Sequence, residues 1–200
     1  QLWNSWKDRL LADLYTSTRY ALRSDVELPR DADVRVRECS ERALALLAEQ
    51  GFAEAQVRRV WADFPQLSFL RHRPEQIAWQ TGAILHARGG SPLVAGQPLS
   101  VRGSTELFVY APDRDGLFAT VTAVLDRLRF SVMESRILGS PTGMALDTFL
   151  LLEADSQQPA SAARAEELQQ RLQRALSLST GVQPGKRNMS RHQKHFQMMP

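Results

Sequence analysis

Along the first ninety positions, apolar residues recur at the spacing of one helix face. Leu2, Trp6, Leu10, Leu14 and Ala21 form a first stripe, with Lys7, Asp8, Arg9 and Asp13 between them, and Pro29 ends it. A second stripe begins near Asp33 and runs through Val36, Cys39, Ala43, Leu46 and Leu47, with Gly51 as its C-terminal stop. A third, short helix is predicted from Glu54 to Phe64, burying Val57, Val60 and Trp61 before Pro65 interrupts. Pro74 then stands where a first helical turn tolerates a missing N–H, and Ile77, Trp79, Ile84 and Leu85 follow it.

The period changes after residue 104. Glu106 to Tyr110 is a short β-type run, and Leu117, Val121, Val124, Leu125 and Leu128 return to a helical face. Phe130 to Leu138 and Met144 to Glu153 read as strands joined by the turn chemistry of Gly139-Ser-Pro-Thr-Gly143. Ala162 to Leu178 reads as a helix with Leu168, Leu172, Ala175 and Leu176 on one side. The predicted order is strand, helix, strand, hairpin, strand, helix. One more strand completes the ferredoxin-like βαββαβ plan, and Phe196, Met198 and Met199 are the residues left to supply it, as a truncated last strand. The expected fold class is therefore α+β. A helical segment spans 1–90, a breaker-rich linker with room for a short strand at Leu93 and Val94 spans 91–103, and the sheet-containing domain spans 104–200.

Bulk properties narrow the function. The 43% hydrophobic and 24% charged content is that of an ordinary globular chain. No apolar run is long enough to span a membrane. A net charge of +3 is too mild to argue for nucleic acid. Cys39 is the single cysteine, so no disulfide forms within the chain and a reducing cytoplasm is the simpler setting. Gln1 lies inside an apparent helix, which points to a segment of something longer.

The most informative stretch is Tyr110-Ala-Pro-Asp-Arg-Asp-Gly-Leu-Phe118, a strand running through a glycine loop directly into a helix. Free N–H groups and the positive end of a helix dipole suit an anion there, and Gly116 lets backbone approach a ligand. The plainer alternative is that Asp113 or Asp115 caps the helix and Gly116 makes the turn. No set of acid, base and nucleophile converges anywhere, so no catalytic residue is assigned. The histidines are His72, His86, His192 and His195; none has a partner four residues on, and no metal site is assigned. Cys39 and the tryptophans Trp3, Trp6, Trp61 and Trp79 read as packing. The basic tail from Lys186 to His195 reads as a solvated linker or a contact for an acidic partner.

The loop resembles that of the ACT domain, a βαββαβ module whose first strand-to-helix loop has an Asp-x-x-Gly-Leu core, here Asp113, Gly116 and Leu117. The likeness extends further. Leu2-Trp-Asn-Ser-Trp-Lys7, Phe69-Leu-Arg-His-Arg-Pro-Glu-Gln-Ile-Ala-Trp79, Gly103-Ser-Thr-Glu-Leu-Phe-Val109, Asp126-Arg-Leu128, Gly143-Met-Ala-Leu-Asp-Thr-Phe149 and Lys194-His-Phe196 occur in one order. In that order they resemble the bifunctional uridylyltransferase/uridylyl-removing enzymes that modify the PII nitrogen-regulatory protein.

That resemblance implies a regulatory fragment: the end of the hydrolase region, connecting helices and the first of two ACT domains. Both catalytic signatures would lie upstream. Mg²⁺ would serve the intact parent, and this fragment would hold no cofactor. Glutamine would be the effector, PII the partner, and ACT-mediated self-association a further contact. Effector-binding residues carried over from the family are Asp113, Arg114, Asp115, Gly116, Leu117 and Phe118. Asp115 stands where the family has Pro, and Gln80 where it has His. An extra carboxylate at 115 repels a ligand carboxylate, which favours a second reading: an ACT-type interaction module that binds nothing small.

Overall fold

The computed structural model describes residues 31–87, 90–99 and 103–178. The expected helix before Pro29, the basic tail, Trp3, Trp6, His192, His195 and the strand residues Phe196, Met198 and Met199 lie outside them.

Four helices come first: α1 (Ala32–Glu49), α2 (Glu54–Trp61), α3 (Gln66–Arg71) and α4 (Pro74–His86). The α1 stripe buries Cys39, Ala43 and Leu47, and Gly51 beyond its end takes φ +87°, a left-handed stop that closes the helix. α3 was not expected. Pro65 sits extended at φ −65° just before it, so the proline that ends one helix starts the next.

A four-stranded antiparallel sheet follows, made of β1 (Leu93–Leu99), β2 (Ser104–Pro112), β3 (Phe130–Arg136) and β4 (Met144–Glu153). Its spatial order is β1-β2-β4-β3, and α5 (Leu117–Arg127) and α6 (Ala162–Leu178) complete the chain order. The fold is α+β and ferredoxin-like, as the sequence predicts. The edge strand is the difference. Residues 91–103, expected as a linker, include β1, which pairs along its length with β2 from Leu93↔Tyr110 to Leu99↔Ser104. β1 takes the place beside β2 that the βαββαβ expectation gives to a strand after α6. Its Gly96 and Pro98 read as breakers, but among the described residues β1 has a neighbour on one side only, and an edge strand tolerates a proline. Gly96 is also tightly placed: a Cβ there would meet Gln169 Nε2 at 3.3 Å.

Each face of the sheet carries its own core, because neighbouring strand residues point to opposite sides. On one face Leu107, Val109, Phe149 and Leu151 meet Leu117, Val121 and Leu125 of α5 and Leu168, Leu172 and Leu176 of α6. On the other, Phe108, Leu138 and Leu146 meet Cys39, Ala43, Leu47, Val57, Phe69 and Ile77 of the helical unit. Burying each such large side chain stabilises by about 1.5–3 kcal/mol. The helical unit is therefore packed against the sheet rather than strung before it.

Candidate functional site

The loop between β2 and α5 is built as the sequence suggests. The Asp113 N–H donates to the Gly143 carbonyl at 2.8 Å, tying the loop to the β3–β4 hairpin. Gly116 precedes the helix at φ +81°, a conformation that disfavours a side chain, and a Cβ there would meet nothing within 4 Å. No side chain caps the helix. Leu117 N–H donates to the Arg114 carbonyl at 3.2 Å, while those of Phe118 and Ala119 have no backbone partner among the described residues. The opening turn is an exposed donor surface beside open space.

The six residues singled out from the sequence divide here. Asp113, Asp115 and Gly116 are exposed. Arg114 turns away and donates from Nη2 to the Leu176 carbonyl at 2.8 Å, closing the end of α6. Leu117 is buried core, and Phe118 stacks on Phe149 at 6.3 Å. Four of the positions thus present backbone or carboxylate outward or fix the loop, and two anchor it.

Behind the loop sits Asp147, which the strand alternation places on the α5/α6 face between Ala145 and Phe149. It is 2% exposed, and its Oδ1 has no hydrogen-bond partner. Burial pushes its carboxyl up to about 7; the Leu138 backbone N–H opposes that rise and the Asp113 charge adds to it.

The opposite face holds a second arrangement, which sequence reasoning missed. Glu106 is fully buried in β2 and accepts from Gln76 Nε2 of α4 at 2.5 Å and Gln97 Nε2 of β1 at 2.9 Å. Thr148 of β4 accepts from Gln80 Nε2 at 3.1 Å and lies 3.2 Å from His72 Nε2. His72 Nδ1 lies 3.0 Å from the Ser68 carbonyl. A carbonyl only accepts, so Nδ1 carries the proton and Thr148 donates to Nε2. The chain Gln80 to Thr148 to His72 to Ser68 then has one direction throughout. Burial, reinforced by the Arg136 charge and opposed by the Ser68 carbonyl, lowers His72 to about 4, with the Arg71 charge also lowering it. Gln80 is a structural donor within this chain of bonds. At the rim, the Tyr110 hydroxyl donates to Asp63 Oδ2 at 2.5 Å and Thr142 donates to Asp63 Oδ1, clamping the α2–α3 turn to the β3–β4 hairpin. Burial and then Asp63 raise the Tyr110 phenol above its ordinary value. Cys39 is buried, its Sγ 3.7 Å from the His72 carbonyl, and burial raises its thiol.

The only advance signal for this layer was Glu106 and Thr148 inside apolar strands. In a two-layer fold their face would be solvated, so nothing marked them as buried. Among the described residues no group of three or more His, Cys, Asp or Glu side chains is placed to hold a metal ion. The donors present therefore do not fit the Mg²⁺ expected of an intact parent. No helix of the described residues is long and apolar enough to cross a membrane.

Comparison with known proteins agrees with the resemblance read from the sequence. Residues 31–83, which span α1 to α3 and most of α4, match the family described as uridylyltransferase GlnD fifth domain. The whole chain is 40% identical over 202 residues to a bifunctional uridylyltransferase/uridylyl-removing enzyme of Xanthomonas campestris pv. campestris (strain B100), covering 23% of it. It is also 40% identical to the enzyme of the same name from Xanthomonas oryzae pv. oryzae (strain MAFF 311018), again across all of this chain and 23% of the relative. The Methylococcus capsulatus enzyme is 40% identical over 197 residues, 98% of this chain and 22% of the relative. The chain thus matches, along its full length, a segment of these enzymes and spans about a quarter of their length. No solved structure matches it.

Proposed function

We propose that this chain is a regulatory segment of a cytoplasmic PII uridylyltransferase/uridylyl-removing enzyme, and that its β2–α5 loop senses or transmits the glutamine signal. The whole enzyme would transfer UMP from UTP to PII and remove it when glutamine is abundant. Its Mg²⁺ chemistry would belong to residues other than these. The observation that carries the reading is the uncapped start of α5: unpartnered N–H groups at Phe118 and Ala119 beside the open space over Gly116 suit the carboxylate of an amino acid.

The packing supports a route outward. Ligation that tightens the loop bears on Asp113, and Asp113 is bonded to Gly143 of the hairpin that Asp63 clamps to the helical unit. An effector preferring one arrangement of these parts shifts their population. A second reading is an ACT-type interaction module that binds no small ligand and pairs with another ACT domain or contacts PII. The exposed Asp115 carboxylate beside the helix start favours it.

Calorimetric titration with glutamine of the chain and of its Gly116→Asn variant separates the two. Asn tolerates a positive φ, so the loop keeps its shape while a side chain enters the open space. Saturable binding weakened at least tenfold by Asn supports the sensor. Absence of binding to the well-folded parent chain sinks it and leaves the interaction module.

A further inference from the structure

The loop over α5 is not the only concave surface. A cleft of about 420 Å³ lies where α1, α4 and β1 meet, with Gln50, Glu75, Trp79, Gly82, His86 and Gln97 among its walls. That is the size of a small-ligand site. It stands on the helical-unit side of the sheet, away from Gly116.

Its chemistry is one-sided. Among the described residues, no arginine or lysine lines it. The Glu75 carboxylate is exposed at its rim with no hydrogen bond or ion pair among the described residues. His86 Nδ1 lies 2.7 Å from the Gly82 carbonyl, so that nitrogen donates, which leaves Nε2 as the ring position able to accept. Gln97 forms the inner wall and donates to the buried Glu106 carboxyl behind it. Trp79 adds an indole, whose face attracts a cation. A carboxylate, further acceptors and an aromatic ring without a compensating cation define a site for a positively charged hydrogen-bond donor.

We propose that this cleft binds a small organic cation bearing a primary ammonium or guanidinium group. The cation pairs with Glu75 and lies against Trp79, and its remaining N–H groups meet His86 and the glutamine amides. Because the walls come from α1, α4 and β1, occupancy ties the helical unit to the sheet edge. An amino-acid carboxylate meets the Glu75 carboxylate and no cationic side chain among the described lining residues, so the cleft and the α5 loop select different ligands.

Agmatine, cationic at both ends and without a carboxylate, is the probe. Titrated calorimetrically into the 200-residue chain, it should bind saturably at one site, with affinity falling as salt rises. Glu75→Gln should weaken binding at least tenfold. Gly82→Ala is the second variant: its Cβ meets Gln50 Oε1 at 3.6 Å and Phe52 Cε2 at 3.7 Å, ordinary contacts, so the helix gains a better former while the cleft narrows. It should raise the melting temperature and weaken agmatine together. No saturable binding by the parent chain, or binding unchanged in both variants, overturns the assignment. A short arginine peptide binding more tightly than agmatine would make the cleft a protein contact and also overturn it.

Discussion

The two faces of the sheet are buried equally and held differently. Toward α5 and α6, the strands present Leu107, Val109, Phe149 and Leu151, and the contact is almost entirely apolar. Toward the helical unit, Phe108 and Leu146 share the surface with Glu106, Thr148, Gln76, Gln80 and His72, all at most 6% exposed. Apolar packing is strong but undirected, whereas a buried hydrogen-bonded layer is satisfied in one register and costly in any other. The first face defines a domain. The second specifies how another unit sits on it.

The apolar face should yield the largest effect. Phe149 is fully buried and stacked against Phe118, so Phe149→Ala removes a ring that α5 and α6 close over. A loss of about 4 kcal/mol in urea unfolding is expected, enough to threaten folding. A loss below about 1 kcal/mol would mean the site collapses freely and that this face is not a fixed core.

How much of this was legible depended on which neighbours a residue needs. Period and breakers located α1, α2, α4, α5, α6, β2, β3 and β4, because Leu117, Val121 and Leu125, or Leu168, Leu172 and Leu176, record their burial in spacing. The loop at Gly116 was legible because a strand, a glycine and a helix start are local. β1 was visible only as the short strand allowed at Leu93 and Val94: Gly96 and Pro98 mark a linker until β2 is known to lie alongside. The polar layer was not legible at all. Glu106 meets Gln76 and Gln97, and Thr148 meets His72 and Gln80, across tertiary distances that no local pattern encodes.

Each face also contributes one titrating group, and the two oppose each other. His72 is held at about 4 against 6.5 when unfolded, so between those values the unfolded chain carries the extra proton and stability falls as pH falls. Asp147 is held up at about 7 against 3.8, so the folded chain carries the extra proton and stability is lost as pH rises through 7. Between pH 4 and 6.5 these slopes cancel. Asp147→Asn leaves His72 unopposed, and stability should then climb with pH by about 3 kcal/mol across that window. Urea unfolding at pH 4.5 and 6.5 checks it. Equal slopes in the variant and the parent chain would show that Asp147 is not buried as described.

The smallest effect tests the polar face itself. Thr148→Val keeps the volume and the β-branch, so no cavity opens and strand propensity is unchanged. What disappears is the hydroxyl that accepts from Gln80 and donates to His72, leaving a buried amide and a buried ring nitrogen without partners. The expected cost is about 2 kcal/mol. If the chain of bonds is the cause, His72→Phe in the Thr148→Val background should cost less than His72→Phe alone, because one orphan has already been made. Additive losses would mean that Thr148 and His72 pack independently, and that the chain of bonds through Thr148 does not help to seat the helical unit on the sheet.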